Sequence, residues 1–149
     1  MRKKPEHVED IMVRRVEALD PDAPLHDAVK TLLRRGYSGA PVTDSEGTLL
    51  GVFSEHDCIK VLSSAVYEGW PPGSIRDHMT TEAEAAAPGD DLMSLAKRFS
   101  DGRHRSLPVV EGGKVVGLVG RSDLVRALDR LLQGDGPQTT YELIAERRR

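Results

Sequence analysis

The hydrophobic and polar positions of the first half of the chain recur in the second half at a constant spacing. The shift is 67 residues up to a turn, where one residue drops out, and 66 residues beyond it. A deletion in a turn is tolerated because turns lie on the surface. Aligned pairs include Asp10 and Asp77, Met12 and Met79, Pro41 and Pro108, Gly51 and Gly117, and Asp57 and Asp123. Self-similarity at a fixed spacing indicates a repeated structural unit.

The first part of each copy predicts a short helix, an extended segment and a longer helix. The short helices are VEDIM and IRDHM, and the extended segments are VEALDP and AEAAAP. The longer helix has apolar residues at the spacing of one buried face. These residues are Leu25, Ala28, Val29, Leu32 and Leu33 in the first copy, and Leu92, Leu95, Ala96 and Phe99 in the second.

The second part of each copy predicts a hairpin and a final helix. The runs APVT and TLLGVF, and their counterparts LPVV and KVVGLV, flank turn-forming residues, which is typical of paired antiparallel strands. The final helix begins near Ser54 or Ser122. Its apolar residues are Ile59, Leu62 and Val66, or Leu124, Val125, Leu128, Leu131 and Leu132. Each copy is therefore βαββα, and the fold class is α/β of the α+β kind.

The domain boundaries follow from the repeat and from the prolines. We expect repeat 1 over 8–66, a linker over 67–74, repeat 2 over 75–133 and a C-terminal tail over 134–149. Pro71 and Pro72 cannot continue a helix and mark the linker. The tail either forms a short helix or frays. A unit of about 60 residues buries little surface alone, so the two repeats are expected to pack as a pseudo-two-fold pair.

Composition narrows the classes of function. Mean hydropathy is −0.41, and no apolar run reaches the roughly 20 residues that span a bilayer. No secretory signal is visible, so we expect a cytoplasmic protein with no membrane partner. The net charge is −3, from 21 basic and 24 acidic residues that are interspersed, which argues against nucleic acid as a partner. The single cysteine excludes an intramolecular disulfide.

Two constellations of reactive residues are discounted. Glu55, His56, Asp57 and Cys58 are consecutive, and at the start of a helix they point in different directions, which argues against a metal site. Cys58 aligns with Leu124, and this alignment predicts a small buried position rather than a nucleophile. We expect no metal, no required cofactor and no enzymatic activity.

The tandem pattern resembles the CBS-domain pair, or Bateman module. The resemblance rests on the opening DIM and DHM, on the strands at 40–42 and 107–109, and on GVFSEHD (51–57) and GLVGRSD (117–123). These two segments are similar to the family's Gly-x-x-(Thr/Ser)-x-x-Asp ligand motif. The resemblance implies binding of AMP, ADP, ATP or S-adenosylmethionine in clefts between the repeats. It also implies association as a homodimer.

In the first copy the motif places Ser54 and Asp57 at the start of the final helix. A carboxylate accepts hydrogen bonds from both hydroxyls of a ribose, while Ser54 is a candidate N-cap and ligand donor. Tyr37 and Ser38 precede the first strand of the hairpin, where the tyrosine ring offers a surface for a base. The alternative is that Asp57 and Asp123 only favour the first helical turn, and that Tyr37 is an ordinary half-buried residue.

In the second copy Gly120 replaces the hydroxyl residue before Asp123. Arg121, together with Arg103, His104 and Arg105, is a candidate set for phosphates, since arginine binds two oxygens at once. The alternative is a solvated basic loop. The two sites are therefore expected to differ, with unequal affinities.

The favoured hypothesis is a regulatory sensor that binds an adenosine-containing small molecule and acts on a separate effector protein. The alternative is a structural homodimerisation module whose ligand sites have degenerated, which Gly120 supports. A small enzyme that uses Cys58 or His104 is the third hypothesis.

Overall fold

The computed structural model describes residues 4–134, and the candidate helix in the tail lies outside this range. The described elements are a 3₁₀ helix (Val8–Asp10), α1 (Leu25–Arg35), β1 (Gly39–Thr43), β2 (Leu49–Ser54), α2 (Glu55–Glu68), α3 (Ile75–His78), α4 (Leu92–Ser100), β3 (Ser106–Glu111), β4 (Lys114–Gly120) and α5 (Arg121–Gln133). The two predicted hairpins, both long helices and both final helices are confirmed.

The extended segments that open each copy are not regular strands. Each forms a single parallel bridge: Leu19 pairs with Val42, and Ala86 pairs with Val109. The sheets are consequently two-stranded, β1 with β2 and β3 with β4. In the first sheet the antiparallel register joins Gly39 to Ser54, which places the end of β2 beside the start of β1.

The chain forms two compact units that cut across the sequence repeats. The described residues of the first unit are 4–16, Ala86–Val109 and 116–134, and those of the second are Glu17–Ala85 and Val110–Val115. Each unit therefore contains the opening segment of one repeat and the main elements of the other. The tip of the β3–β4 hairpin belongs to the second unit.

The core of the first unit includes apolar side chains from the N-terminal segment. Val8, Ile11 and Met12 pack with residues of α4, β3, β4 and α5. The backbone of this segment is bound as well, because Val8 N donates to Asp90 O at 2.9 Å and Val13 N to Leu118 O at 2.8 Å. The remaining core members are Ala86, Leu92, Leu95, Phe99, Leu107, Val109, Val119, Leu124 and Ala127.

The core of the second unit is built in the same manner. Ile75, from α3, is fully buried among side chains of α1, β1, β2 and α2. Its backbone N donates to Ala23 O at 3.1 Å, and Val52 N donates to Thr80 O at 2.9 Å. The other core members are Leu19, Leu25, Ala28, Val29, Leu32, Ala40, Val42, Phe53, Cys58 and Val61.

One residue of the α1 stripe is placed wrongly by the sequence pattern. Leu33 is 79% exposed, whereas Leu32 is 4% exposed and Thr31 is 7% exposed. Because successive residues are about 100° apart around a helix, the buried face is centred nearer Ala28 and includes Thr31 rather than Leu33. The stripe of α4 is buried as expected at Leu92, Leu95 and Phe99.

The final helices bury narrower faces than their apolar content suggests. In α2 the buried residues are Asp57, Cys58 and Val61, while Ile59 is 64% exposed and Val66 is 75% exposed. In α5 Leu124 is buried, but Val125 and Leu132 are exposed. Within residues 4–134, no helix has the length and apolar character that crossing a membrane requires.

Candidate ligand site

The junction of β2 and α2 forms a capping box around Asp57. Ser54 Oγ accepts a hydrogen bond from Asp57 N at 3.2 Å. Asp57 Oδ2 in turn accepts from Ser54 N at 2.9 Å and from Ser54 Oγ at 3.0 Å. Reciprocal bonds of this kind satisfy backbone groups that a helix start leaves unpaired. The capping role considered for Asp57 from the sequence is thus present.

A third group joins this carboxylate from a segment that the sequence pattern did not single out. Thr80 Oγ1 lies 3.4 Å from Asp57 Oδ2 and donates to it. Thr80 follows α3 and belongs to the opening segment of repeat 2, yet it lies in the same compact unit as Asp57. The bridge between Thr80 and Val52 holds it there. The second unit therefore assembles its site from both sequence repeats.

The two oxygens of Asp57 differ in their contacts. Asp57 is 8% exposed, and Oδ2 receives the donors from Ser54 and Thr80. Oδ1 has no hydrogen-bond partner among residues 4–134. A buried carboxylate oxygen without a donor is costly, so this atom is the strongest candidate for contact with a ligand hydroxyl.

Tyr37 and Ser38 lie at the entrance to β1. The carbonyl of Ser38 accepts a hydrogen bond from Glu55 N at 2.9 Å, which places Ser38 beside the first residue of α2. Tyr37 packs against the core of the unit, and its hydroxyl accepts from Glu17 N at 3.2 Å. Ser38, Ser54, Asp57 and Thr80 are thus brought together, while the Tyr37 hydroxyl is directed to the backbone of Glu17.

The corresponding junction of β4 and α5, in the first unit, has different partners. Gly120 is the N-cap and contributes no side chain. Asp123 is 8% exposed, and its Oδ2 accepts from Gly120 N at 2.8 Å. Its Oδ1 accepts from Arg126 Nη2 at 2.5 Å. Both oxygens of this carboxylate are therefore engaged by the protein.

The basic loop before β3 is held by Arg121, the first residue of α5, and by Arg103 within the loop. Arg121 Nε donates to His104 O at 3.0 Å, and Arg121 Nη2 donates to Gly102 O at 3.3 Å. Arg103 pairs with Asp101 at 3.0 Å, and the backbone and side-chain hydrogen bonds of Arg103 lower the pKa of Asp101. The carbonyl of Arg105 accepts from Arg121 N at 3.0 Å. The loop therefore contacts the start of α5, and the guanidinium groups of Arg121 and Arg103 form hydrogen bonds that hold the loop in place.

The motif glycines have a packing role that the sequence pattern did not reveal. A Cβ atom on Gly51 would lie 2.6 Å from Thr80 O, and one on Gly117 would lie 2.5 Å from Met12 Sδ. Each glycine thus lets a strand approach the opening segment held in its unit. Gly120 differs, because a Cβ atom added there would lie 3.6 Å from its nearest neighbours, which leaves room for a side chain.

Cys58 is buried, as its alignment with Leu124 predicts. It is 8% exposed, and burial, with the charges of Asp57 and Glu55, raises the pKa of its thiol to about 11. A protonated buried thiol is a poor nucleophile. Within the described part of the chain, no three His, Cys, Asp or Glu side chains are grouped to hold a metal ion.

Comparison with known families gives one match over most of the chain. The model of the CBS domain family matches residues 8–64 and again residues 75–130. Both matches begin at the opening helices and include the motifs at 51–57 and 117–123.

Solved structures of CBS-pair proteins agree with this match. CBSX2 of Arabidopsis thaliana is 26% identical with a TM-score of 0.76, covering 87% of this chain and 99% of that one. A structure of CBSX2 in complex with AMP is 27% identical with a TM-score of 0.73, covering 85% and 98%.

Among curated proteins, MJ1225 of Methanocaldococcus jannaschii is 31% identical over 83% of this chain and 43% of its own length. The A-adding tRNA nucleotidyltransferase of Aquifex aeolicus is 31% identical over 85% of this chain and 15% of its own length. The chain thus spans less than half of either curated relative.

Proposed function

The chain belongs to the CBS-domain family, and from this premise we propose that it is a regulatory module that binds an adenosine-containing small molecule. The carboxylate of Asp57 carries the proposal, because it is buried and one of its oxygens lacks a donor among residues 4–134. The AMP complex of the similar protein CBSX2 supports an adenosine compound as the ligand class. The proposed role is regulatory rather than catalytic.

Ribose is the part of the ligand that this site recognises in our proposal. Its two adjacent hydroxyls donate to a carboxylate in charge-assisted hydrogen bonds, which are stronger than those between neutral groups. One hydroxyl reaches Asp57 Oδ1, and the second donates to Oδ2 in place of Thr80, whose bond to this oxygen is long at 3.4 Å. Ser38 and Tyr37 border the same junction.

Binding at this site is also the means of signalling in our proposal. Asp57 lies on α2, whereas Thr80 follows α3, and their hydrogen bond is long at 3.4 Å. A ligand that bonds to both residues bridges these two segments and so changes how they are held together. The altered surface then acts on a separate effector protein or on a second copy of the chain.

A thermal-shift panel tests the proposal. AMP, ADP, ATP, S-adenosylmethionine and NADH are each added at millimolar concentration to the protein and to Asp57→Asn. A ligand at about 100 times its Kd stabilises the native state by about 2.7 kcal/mol, which for a chain of this size corresponds to about 5 °C or more. We expect a shift with at least one adenosine compound and its loss in the variant. If none of the five raises the Tm, the module is not an adenosine sensor.

The exposed faces of the final helices favour a second candidate function, homodimerisation. Ile59 and Val66 on α2 occupy the same repeat positions as Val125 and Leu132 on α5, and all four are at least 64% exposed. Residues seven apart lie on one helix face, so each final helix leaves an apolar stripe uncovered within the described chain. Exposed apolar stripes of this kind mark interaction sites.

Sedimentation velocity separates a dimer from a monomer. We expect the protein to sediment as a dimer and Ile59→Lys to sediment as a monomer, because a buried lysine in an apolar interface is strongly disfavoured. Leu33→Lys is the matched control, since Leu33 is also exposed but lies on α1. A protein that is monomeric at about 100 µM, or an unchanged dimer in the variant, contradicts this role for α2.

A further inference from the structure

The two carboxylates of the repeated motif differ in whether they can accept hydrogen bonds from a ligand. We infer that Asp57 alone binds ribose, because Arg126 of the same chain already occupies Asp123. Resting on the function proposed above, this inference reduces the expected number of ligands to one per chain. It assigns Arg126 as the residue that decides which of the two motifs is active.

The pair of Asp123 and Arg126 is short and sheltered. Their side chains are 10% and 21% exposed, and Arg126 Nη2 lies 2.5 Å from Asp123 Oδ1. The two residues are three apart on α5, a spacing that places them on the same face of the helix. With Gly120 N on the other oxygen, each oxygen of Asp123 already has a donor from the protein, and one of these donors is a charged guanidinium.

The first motif has no such internal partner among the described residues. The repeat places Lys60 at the position of Arg126, and Lys60 is exposed. No hydrogen bond or ion pair joins Lys60 to Asp57 within residues 4–134. Asp57 Oδ1 is therefore open at the position where Asp123 Oδ1 receives a guanidinium.

Two further differences between the motifs also favour ribose binding at Asp57 over Asp123. Ser54 supplies a hydroxyl at the first motif, whereas Gly120 supplies none. Thr80 supplies a second hydroxyl, and the repeat places Val13 at the equivalent position. The polar surroundings that would help to orient a ribose are thus present around Asp57 and missing around Asp123.

The energetic comparison favours the arginine over a sugar at Asp123. A guanidinium is charged, so its bond to a carboxylate gains attraction that a neutral hydroxyl lacks, and the pair is largely shielded from water. A ribose hydroxyl that takes the position of the guanidinium at Asp123 Oδ1 must displace it and leave it without this carboxylate partner. Nothing comparable has to be displaced at Asp57.

Calorimetric titration of the full chain with AMP tests the assignment by stoichiometry. We expect one AMP per chain for the native protein, a loss of at least about tenfold in affinity for Asp57→Asn, and no change for Asp123→Asn. Arg126→Gln removes the charged partner and should admit a second AMP per chain. Lys60→Gln, the matched variant on α2, should leave the stoichiometry at one AMP per chain.

Each contrary outcome has a distinct meaning. Two AMP molecules per native chain, with one lost in Asp123→Asn, overturn the inference and leave the proposed function standing. A lower affinity in Arg126→Gln without a second equivalent shows that Arg126 binds the ligand, which also overturns it. If Arg126→Gln fails to fold by circular dichroism, the Asp57→Asn and Asp123→Asn titrations still decide. If neither AMP nor any of the other four compounds of the thermal-shift panel binds to any folded protein, the proposed function is removed together with the inference.

Discussion

The carbonyl oxygen of Thr80 lies 2.6 Å from the position that a Cβ atom on Gly51 would take. This glycine is therefore required by the contact between β2 and the segment after α3, on the same strand that leads to Ser54 and Asp57. The contact is made by backbone atoms, which cannot rotate away as a flexible side chain can.

Replacing Gly51 by alanine should destabilise the protein by about 1–3 kcal/mol, the usual cost of inserting an atom into a packed site. Gly89→Ala is the matched control, because a Cβ atom added at Gly89 would meet no other atom within 4 Å and the φ of this residue is not positive. Urea unfolding followed by circular dichroism measures both. Equal stability of the two variants would show that the segment after α3 shifts without cost.

Truncation of neighbouring leucines on α1 should separate a core position from a surface one. Leu32→Ala removes a side chain that is 4% exposed and should cost about 2–5 kcal/mol. Leu33→Ala alters a residue that is 79% exposed and should change stability by less than about 0.5 kcal/mol. Chemical denaturation of both variants gives the comparison, and a larger loss for Leu33→Ala is incompatible with the buried face described for α1.

Features that depend on the spacing within one helix could be predicted from the sequence. Burial and strand pairing that depend on distant segments could not. The stripe of Leu92, Leu95 and Phe99 follows from helix spacing alone. The exposure of Leu33 depends on where the rest of the unit covers α1. Likewise, the sequence predicts extended segments around Leu19 and Ala86, each ending at a proline, but each finds only one bridging partner within residues 4–134.

Stability should depend on pH through Glu17. Partial burial tends to raise the pKa of this carboxyl, but hydrogen bonds and charges from Arg34 and Arg35 outweigh it and lower the pKa below 4.5. A lowered folded pKa adds stability above the ordinary pKa, and this contribution is lost as the pH falls through the folded value.

Glu17→Gln should therefore lower the free energy of unfolding at about pH 7 by less than about 1 kcal/mol, since the arginines are largely exposed. The difference from the native protein should shrink as the pH falls below the ordinary pKa of a glutamate, about 4.3, and vanish once Glu17 is protonated in the folded state. Urea unfolding at several pH values measures it, with Glu82→Gln, at an exposed position, as the control. A difference that persists unchanged at about pH 3 would assign the effect to packing.

Cys58 should react slowly with thiol reagents in the native protein. With a pKa of about 11, roughly a thousandth of the thiol is ionised at about pH 8, and the side chain is buried. We expect the reaction with a disulfide reagent at this pH to be at least about 100-fold slower than in guanidinium chloride. Equal rates in the two conditions would revive Cys58 as a candidate nucleophile.

The candidate site was predictable as far as the motif reaches. Ser54 and Asp57 follow from Gly-x-x-(Thr/Ser)-x-x-Asp. Arg126 was missed, although it follows Asp123 at a helical spacing that the sequence shows. Thr80 was missed because its contact with Asp57 depends on which unit receives the opening segment of repeat 2. The carbonyl partners of Arg121 were missed because side-chain to backbone contacts in a loop have no sequence pattern.

Each unit contains the opening segment of the other repeat. This exchange determines the order in which the two units can fold during synthesis. Val8 and Met12 leave the ribosome well before their partners in α4, β4 and α5. The second unit, drawn mostly from the continuous stretch Glu17–Ala85, becomes nearly complete earlier, and domains fold as they emerge. Closing the long separation between Val8 and Asp90 is slow, so the apolar segment around Val8 lacks its core partners until α5 has been made.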